Sequence, residues 1–322
     1  MMTTKNINIV PRLVISIPCF NEEAVLEDTT NKLEAFLDQM VSDGIVSSDS
    51  LILFSSNGST DRTWEIIENL HQTRKYVSGI KLASNVGFQN NLMAGMTVAK
   101  DYGDVIVTMD ADLQDDYTVI PEMIKHWQQG CDVVYGVRKE RKTDTWFKRN
   151  TALAFYKFMN FLGVNTVYNH ADFRLMSKRF VEEITKYRER NLFLRGLVPL
   201  IGYRSAEVFY NRKERELGST KFNFGGLINL ALDGITSVSV KPVRMVFSLG
   251  LLFVVLSIII LIYVLFQRYY RDVPLGWASI VLSIWFCTGV LLMGLGIIGE
   301  YIGKIYIEVK DRPRYNIEKQ LI

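Results

Sequence analysis

Two long uncharged runs near the C-terminus limit what this chain can fold into. Met245 to Phe266 is 22 residues without a charge, and Pro274 to Gly299 is 26. At about 1.5 Å per residue the first run alone reaches about 33 Å as a helix, enough to cross the hydrocarbon core of a bilayer. Helices buried in a water-soluble core rarely run so far without a charge. Two transmembrane helices are therefore expected, over residues 243–267 and 274–300. They form a hairpin that leaves both chain ends on one side. Lys241 and Arg244 precede the first run, and Lys304, Lys310, Arg312, Arg314 and Lys319 follow the second. The loop between them carries Arg268 and Arg271 against Asp272. The bias of Lys and Arg toward cytoplasmic segments puts both termini in the cytoplasm, as in a multi-pass protein of the cytoplasmic membrane. A small transporter fits poorly, because the runs contain essentially no polar or charged positions for a substrate path.

Residues 1–224 have a different texture. Short apolar segments at Leu13–Pro18, Leu51–Phe54, Ile80–Ala83, Val105–Met109 and Val133–Val137 read as strands. Between them, Glu22–Val41, Asp61–Gln72, Gln89–Lys100 and Val119–Gln129 carry helical periodicity. Strands alternating with helices predict an α/β domain with a mainly parallel sheet covered on both faces. Ligands of such sheets bind outside the carboxyl ends of the strands. Polar clusters fall at those ends: Asn21-Glu22-Glu23, Ser55–Asp61, Ser84-Asn85 and a run of acids from Asp110. The cysteines Cys19, Cys131 and Cys287 have no paired spacing, which suits a reducing compartment and makes a zinc site unexpected. Met1 to Arg12 is polar, so no signal peptide is expected. A net charge of only +3 argues against nucleic acid as a partner.

The acidic run has the most chemistry. A β-branched segment ends in Asp110-Ala111-Asp112-Leu113-Gln114-Asp115-Asp116, four carboxylates in seven residues. Unpaired carboxylates are too costly to bury, so they must face solvent or hold a cation. Asp110 and Asp112 share a side on an extended backbone, and Gln114 extends the row if the backbone stays extended. Oxygen ligands without Cys or His suit Mg²⁺ or Mn²⁺. The competing reading is an acidic strand-to-helix turn, with Asp115 or Asp116 capping the next helix.

Further on, Arg138–Arg149 holds Arg138, Lys139, Arg141, Lys142, Lys148 and Arg149 against Glu140 and Asp144, beside Trp146 and Phe147. A basic segment with aromatics suits a membrane-facing loop that captures a lipid phosphate, and a solvated charged loop is the alternative. Gly226–Val240 sets Leu227, Leu230, Ala231 and Ile235 on one helical face, so residues 225–242 read as an interfacial amphipathic helix or as a helix packed on the core.

Six motifs in order then resemble family 2 glycosyltransferases. Pro18-Cys19-Phe20-Asn21-Glu22-Glu23 looks like their opening Pro-x-Tyr-Asn-Glu-Glu, with Phe20 for Tyr. Ser56-Asn57-Gly58-Ser59-Thr60-Asp61 resembles the Asp-Asp-Gly-Ser-x-Asp turn, with Ser56 and Asn57 in place of both aspartates. Asn85-Val86-Gly87-Phe88-Gln89 and Asp110–Asp115 are similar to the Asn-Phe-Gly-x-Gln and DxD motifs. Ala171–Met176 and Gly218-Ser219-Thr220-Lys221 resemble later signatures of the polyisoprenyl-phosphate branch, which joins a GT-A catalytic domain to a membrane anchor.

The resemblance implies a GT-A domain over 1–224, followed by the interfacial helix, two spans and a cytoplasmic tail at 301–322. It implies transfer of a sugar, with inversion, from a UDP-sugar to a polyprenyl phosphate such as undecaprenyl phosphate, for cell-envelope glycosylation. A GDP-mannose-dependent dolichol-phosphate mannose synthase and a catalytically weak nucleotide-sugar sensor or scaffold are the alternatives. Pro18, Phe20, Glu22, Asn57, Asp110 and Ala111 would line the nucleotide, with Asn57 accepting a hydrogen bond from a uracil N–H. Asp110, Asp112 and Gln114 would hold Mg²⁺ or Mn²⁺. Arg138, Lys148, Arg149, Arg174, Arg215 and Lys221 would meet acceptor phosphate or diphosphate, the last two alternatively facing acidic headgroups. Asp172 would be the general base or would position Arg174 or the sugar. The expected partners are the donor, the lipid acceptor, membrane lipids and further copies of the chain in a homo-oligomer.

Overall fold

The structure, a computed structural model, describes residues 9–139, 170–190, 192–212 and 277–322, with single helical positions between 243 and 266. Two compact units divide the chain. One takes in the N-terminal domain and Arg312–Ile322, and the other takes in Gly225–Asp311.

All five expected strands form, as β1 (Leu13–Cys19), β2 (Leu51–Ser56), β3 (Val77–Leu82), β4 (Val105–Thr108) and β5 (Val133–Arg138). The four expected helices are α1 (Leu26–Ser42), α2 (Thr63–Thr73), α3 (Phe88–Tyr102) and α4 (Ile120–Gln128). Helix α1 starts four residues later than its periodicity suggested. Asn21 turns the chain at φ +53, a conformation that Asn tolerates. Glu22 N–H is then engaged by Thr63 Oγ1 at 2.9 Å rather than by a first helical turn.

The sequence pattern left three strands and two helices unread: β6 (His170–Ser177), β7 (Ser205–Tyr210), β8 (Ile317–Leu321), α5 (Lys178–Ile184) and α6 (Leu194–Leu200). The eight strands form one sheet in the order β7-β5-β6-β4-β1-β2-β3-β8. The β1–β2, β1–β4, β2–β3 and β5–β7 pairs are parallel, while β6 runs antiparallel between β4 and β5, and β8 runs antiparallel to β3. The carboxyl ends of β1 to β5 and β7 therefore share one edge with the amino end of β6.

Alternation along the strands builds two cores. Leu13, Ile15 and Ile17 of β1 face Leu26, Leu33 and Leu37 of α1, with Trp64 and Ile67 of α2 and Met123 and Trp127 of α4 in the same layer. Val14, Leu53 and Ile80 point the other way, onto Leu92, Met93 and Met96 of α3, Phe180 and Ile184 of α5, and Leu197 of α6. Both faces are covered, which is why the central strands read as continuous apolar runs.

The segment expected to be a tail is in part structural. Ile317–Leu321 adds the edge strand β8, with Lys81–Glu318 at 2.8 Å and Lys319–Glu68 at 2.9 Å along its length. The stretch Ile317-Glu318-Lys319-Gln320-Leu321 is too polar to announce a strand, and it forms one because β3 offers an open ladder.

In the other unit, α7 spans Trp277–Val309, nine residues past the expected end of the second run. Its part from Phe286 to Val309 is long and apolar enough to cross a membrane, and among the described residues it is the one helix that qualifies. Leu291, Leu292, Met293 and Leu295 are each 63–70% exposed, unlike a helix buried in a soluble core. The described positions between 243 and 266 are helical, whereas the connecting loop and residues 225–242 lie outside the described residues.

Candidate active site

Two loops knit together at the carboxyl ends of β1 and β2. Asn21 Oδ1 accepts from Thr60 N at 2.9 Å, and Glu23 Oε2 accepts from Arg62 N at 3.0 Å. Asp61 Oδ1 accepts from Thr63 N at 3.0 Å, which places its carboxylate at the start of α2 and, despite the opposing pull of burial, lowers its pKa. The Asn-Glu-Glu and Gly-Ser-Thr-Asp segments are thus one interlocked turn. Phe20 and Glu22 are half-buried at its rim, while Pro18 is enclosed in β1 opposite Ser55.

Asn57 is only 3% exposed. Its Oδ1 accepts from Val86 N at 2.9 Å and its Nδ2 donates to Asn85 Oδ1 at 3.0 Å. Asn85 Oδ1 also accepts from Gly87 N at 2.9 Å, so the two carboxamides pin the turn that opens α3. Asn57, expected to meet a base N–H, here turns its oxygen to Val86 N and its amide to Asn85 from an almost wholly buried position. Gly58 makes the contact possible. At φ +61 it lies so close to the next loop that a Cβ would meet Asn85 N and Ser84 C at 2.5 Å.

The acidic run sits at the end of β4, but not as an extended row. The strand ends at Thr108, the chain turns at Ala111-Asp112, and Leu113 takes φ +50. That break separates Gln114 from the line of Asp110 and Asp112. Gln114 N donates to Asp112 Oδ1 at 3.2 Å, and the Gln114 carboxamide oxygen accepts from Arg212, two residues beyond β7. Asp110 and Asp112 remain together, both partly accessible. Ala111 is buried, its carbonyl accepting from Thr29 Oγ1 at 2.6 Å. Burial, with Asp115, Asp172 and Asp112 close by, raises the Asp110 carboxyl to about 7. Arg138 offsets this crowding only in part. Asp116 caps only the short 3-10 turn Tyr117–Val119, accepting from Thr118 N at 3.2 Å; α4 itself begins after Val119 with no side-chain cap, so neither Asp115 nor Asp116 caps it as expected.

Asp115 does something else. It is 2% exposed and accepts from Arg138 Nη2 at 3.0 Å and from Tyr210 Oη at 2.5 Å. Burial alone would lower the Arg138 pKa, but Asp115 outweighs it and the guanidinium is held more firmly protonated; Tyr210 is raised by burial and by the same carboxylate. Arg138, expected at a phosphate, thus joins the ends of β5 and β7 to the acidic run.

Beside β4, Asp172 and Arg174 lie on β6, where Thr108 pairs with Arg174 and Thr108 Oγ1 donates to the Asp172 carbonyl at 2.6 Å. Asp172 is nearly enclosed there, 9% exposed. Arg174 Nη2 donates to its Oδ1 at 2.6 Å, and Arg195 Nη2 to its Oδ2 at 2.9 Å, with Arg195 Nε at 3.3 Å from Oδ2. Arg174 is 1% exposed, and burial pushes its guanidinium below the ordinary value against the pull of Asp172. Arg174, expected at a phosphate, is enclosed in the sheet with Asp172 as its ion-pair partner. Lys148, Arg149, Arg215 and Lys221 lie outside the described residues.

Sequence reasoning missed Arg195, Arg212 and Tyr210. Arg195 had a signal, a lone cation inside the apolar stretch Leu192–Leu200, where burial demands a partner. Tyr210 and Arg212 had none, because their strand was not read.

Residues 14–185 match the family described as glycosyl transferase family 2. The protein named uncharacterized glycosyltransferase YkoT of Bacillus subtilis (strain 168) is 50% identical over 311 residues, covering 97% of this chain and 92% of that one. The SfII prophage-derived bactoprenol glucosyl transferase of Shigella flexneri is 38% identical over 310 residues, covering 96% and 98%. The prophage bactoprenol glucosyl transferase homolog of Escherichia coli (strain K12) is 38% identical over 313 residues, covering 96% and 99%. With an α/β sheet whose motif-bearing loops gather at one edge, and with likeness along nearly its whole length, the chain belongs to glycosyl transferase family 2 and is a glycosyltransferase.

Proposed function

We propose that this enzyme transfers a sugar from a nucleotide-sugar, a UDP-sugar by our reading, to a polyprenyl phosphate at the cytoplasmic face of the membrane. The observation that carries the reading is the carboxylate crowd of Asp110 and Asp112 at the sheet edge, beside an arginine-held Asp172. Bactoprenol glucosyl transferases that align over almost the full chain support a polyprenyl acceptor. The α7 helix and the uncharged run 245–266 support a two-span anchor, and the flanking basic residues support cytoplasmic termini.

The donor set tests whether a divalent ion fits. Asp110 and Asp112 supply hard oxygen ligands, and their mutual repulsion is what a cation would relieve, so Mg²⁺ or Mn²⁺ fits this pair. Gln114 would join only by leaving Arg212. When bound, the ion supplies charge neutralisation for a leaving diphosphate.

The remaining work falls to the chain. An oxygen of the acceptor phosphate attacks the anomeric carbon, the bond from that carbon to the diphosphate breaks, and the nucleoside diphosphate leaves with the electron pair. A phosphate monoester, with a second pKa of about 6, is already mostly ionised at neutral pH and needs little help from a base. Two guanidiniums hold both oxygens of Asp172, an arrangement that favours a positioning role over proton abstraction.

The test is the lipid product formed by the full-length protein from radiolabelled UDP- and GDP-sugars with polyprenyl phosphate, with and without EDTA. We expect one UDP-sugar to label the lipid, EDTA to stop it, and Asp112→Asn to abolish transfer in a folded protein. Labelling from GDP-mannose alone would overturn the donor assignment, and full activity in EDTA would overturn the metal. A chain that labels no lipid with any donor would overturn the whole reading.

A further inference from the structure

We propose that the C-terminal segment Arg312–Ile322 is a positioning element of the nucleotide-sugar site, holding the β3–α3 turn from outside while Asn57 holds it from within. The proposal rests on the glycosyl-transfer reading and deepens it.

The turn Ser84–Gly87 leaves the carboxyl end of β3 and opens α3. It carries one of the motifs that gather at this edge of the sheet. On its inner side, Asn57 accepts from Val86 N and donates to Asn85 Oδ1. Asn91, in the first turn of α3, donates to the Ser55 carbonyl at 2.9 Å. These contacts fix the turn against the end of β2. On its outer side β3 has β8 as its neighbour, and without β8 the outer ladder of β3 would stand open.

The chain end supplies partners on that side along most of its length. Ala83 N, just before the turn, donates to the Asn316 carbonyl at 3.0 Å. Tyr315 Oη donates to Thr97 Oγ1 at 3.0 Å, and Thr97 in turn donates to the Met93 carbonyl at 2.7 Å, so the segment is tied to α3 as well as to β3. Arg314 donates to the Tyr187 carbonyl, just past α5. Tyr315 packs on the core layer that holds Leu92, Met93 and Met96, and Leu321 packs on the layer of the opposite face. The segment straddles the sheet edge and grips both layers.

The pairing is irregular where it matters. Lys81 faces Lys319 but Leu82 faces Ile317, so Glu318 is an extra residue on β8, with its carboxylate on Lys81 at 2.8 Å. A bulge there bends and twists the pair as β3 runs into the turn. Strand β8 is itself largely exposed, so what it adds to β3 is chiefly directed hydrogen bonding, which sets where the end of the strand lies.

Initial rates of full-length wild type, Tyr315→Phe, Thr97→Val, their double variant and a chain ending at Asn316 would be measured with the donor that labels polyprenyl phosphate. Donor would be varied at saturating acceptor, then the reverse, at a temperature where each protein is folded, with thermal midpoints followed in parallel. We expect Tyr315→Phe to raise the donor KM by roughly 2–10-fold, with the acceptor KM and kcat little changed. Thr97→Val should do the same, and the double variant should be no worse than either single, because all three lose one shared hydrogen bond. The shortened chain should raise the donor KM further; if it does not fold, the point variants decide alone. A segment that only adds stability would lower the midpoint and the active fraction while leaving both KM values unchanged. That result, or a rise in acceptor KM in place of donor KM, would overturn the proposal. Activity of the wild type in the same assay keeps that outcome separate from failure of the functional reading.

Discussion

Asn57→Asp sets two lines of reasoning against each other. Family 2 glycosyltransferases resemble this chain but usually carry aspartate here, so motif reasoning expects the substitution to improve donor binding. The structure argues for the opposite sign. The new carboxylate would keep the acceptor for Val86 N, now charge-assisted, but would lose the Nδ2 donor. Two acceptor oxygens would then face each other across the 3.0 Å now spanned by the hydrogen bond to Asn85. Asn85 could flip its amide to present Nδ2, but its Oδ1 would then leave Gly87 N, now 2.9 Å away. Either route loses one hydrogen bond, about 0.5–1.5 kcal/mol, and leaves a charge almost wholly buried. The net cost should be about 1–2 kcal/mol. That corresponds to a thermal midpoint lower by about 2–8 °C and, where the pinned turn contributes to the donor site, to a donor KM roughly 5–30-fold higher. Thermal unfolding and donor titration of the purified full-length protein measure both. Adding Asn85→Ala removes the facing oxygen, so the double variant should be less impaired than the sum of the singles. An Asn57→Asp protein with an unchanged midpoint and a lower donor KM would refute the argument.

Other consequences are as direct. Gly58→Ala puts a Cβ 2.5 Å from two backbone atoms at φ +61 and should cost at least about 2 kcal/mol; a wild-type midpoint would contradict the close approach. Asp110, raised from 3.8 to about 7, makes the folded chain hold a proton that the unfolded chain releases, so in EDTA stability should fall as pH rises through about 4 to 7. Added Mn²⁺ should then raise the midpoint more at pH 7.5 than at pH 5, and Asp110→Asn should flatten the difference; a pH-independent effect of metal would count against it. Deleting residues 317–322 strips β8 from β3 and should lower the catalytic-domain midpoint by roughly 5–10 °C while exposing an edge that promotes aggregation, visible by light scattering.

Sequence alone determined the α/β class, the five inner strands, the four helices between them and the sheet edge that carries the motifs. These follow from local rules: burial on both faces makes β1 to β5 continuous apolar runs, and the helices bury one stripe each. The uncharged run that became α7 was equally legible, because length and apolarity are local properties. Tertiary structure decided the partners. Strand β6 carries Asp172 and Arg174 inside the sheet, where a Asp-Phe-Arg pattern reads as polar loop until β4 and β5 close around it and the two charges neutralise each other. Strand β8 is polar along its length and exists only because β3 is open beside it. The roles of the charged residues were least legible. Arg138, Arg174 and Arg195 are alike as letters; the fold buries one, pairs one with Asp115, and leaves one at the surface on Asp172. A charge is defined by what lies within a few ångströms of it, and those neighbours come from strands and loops distant in the chain.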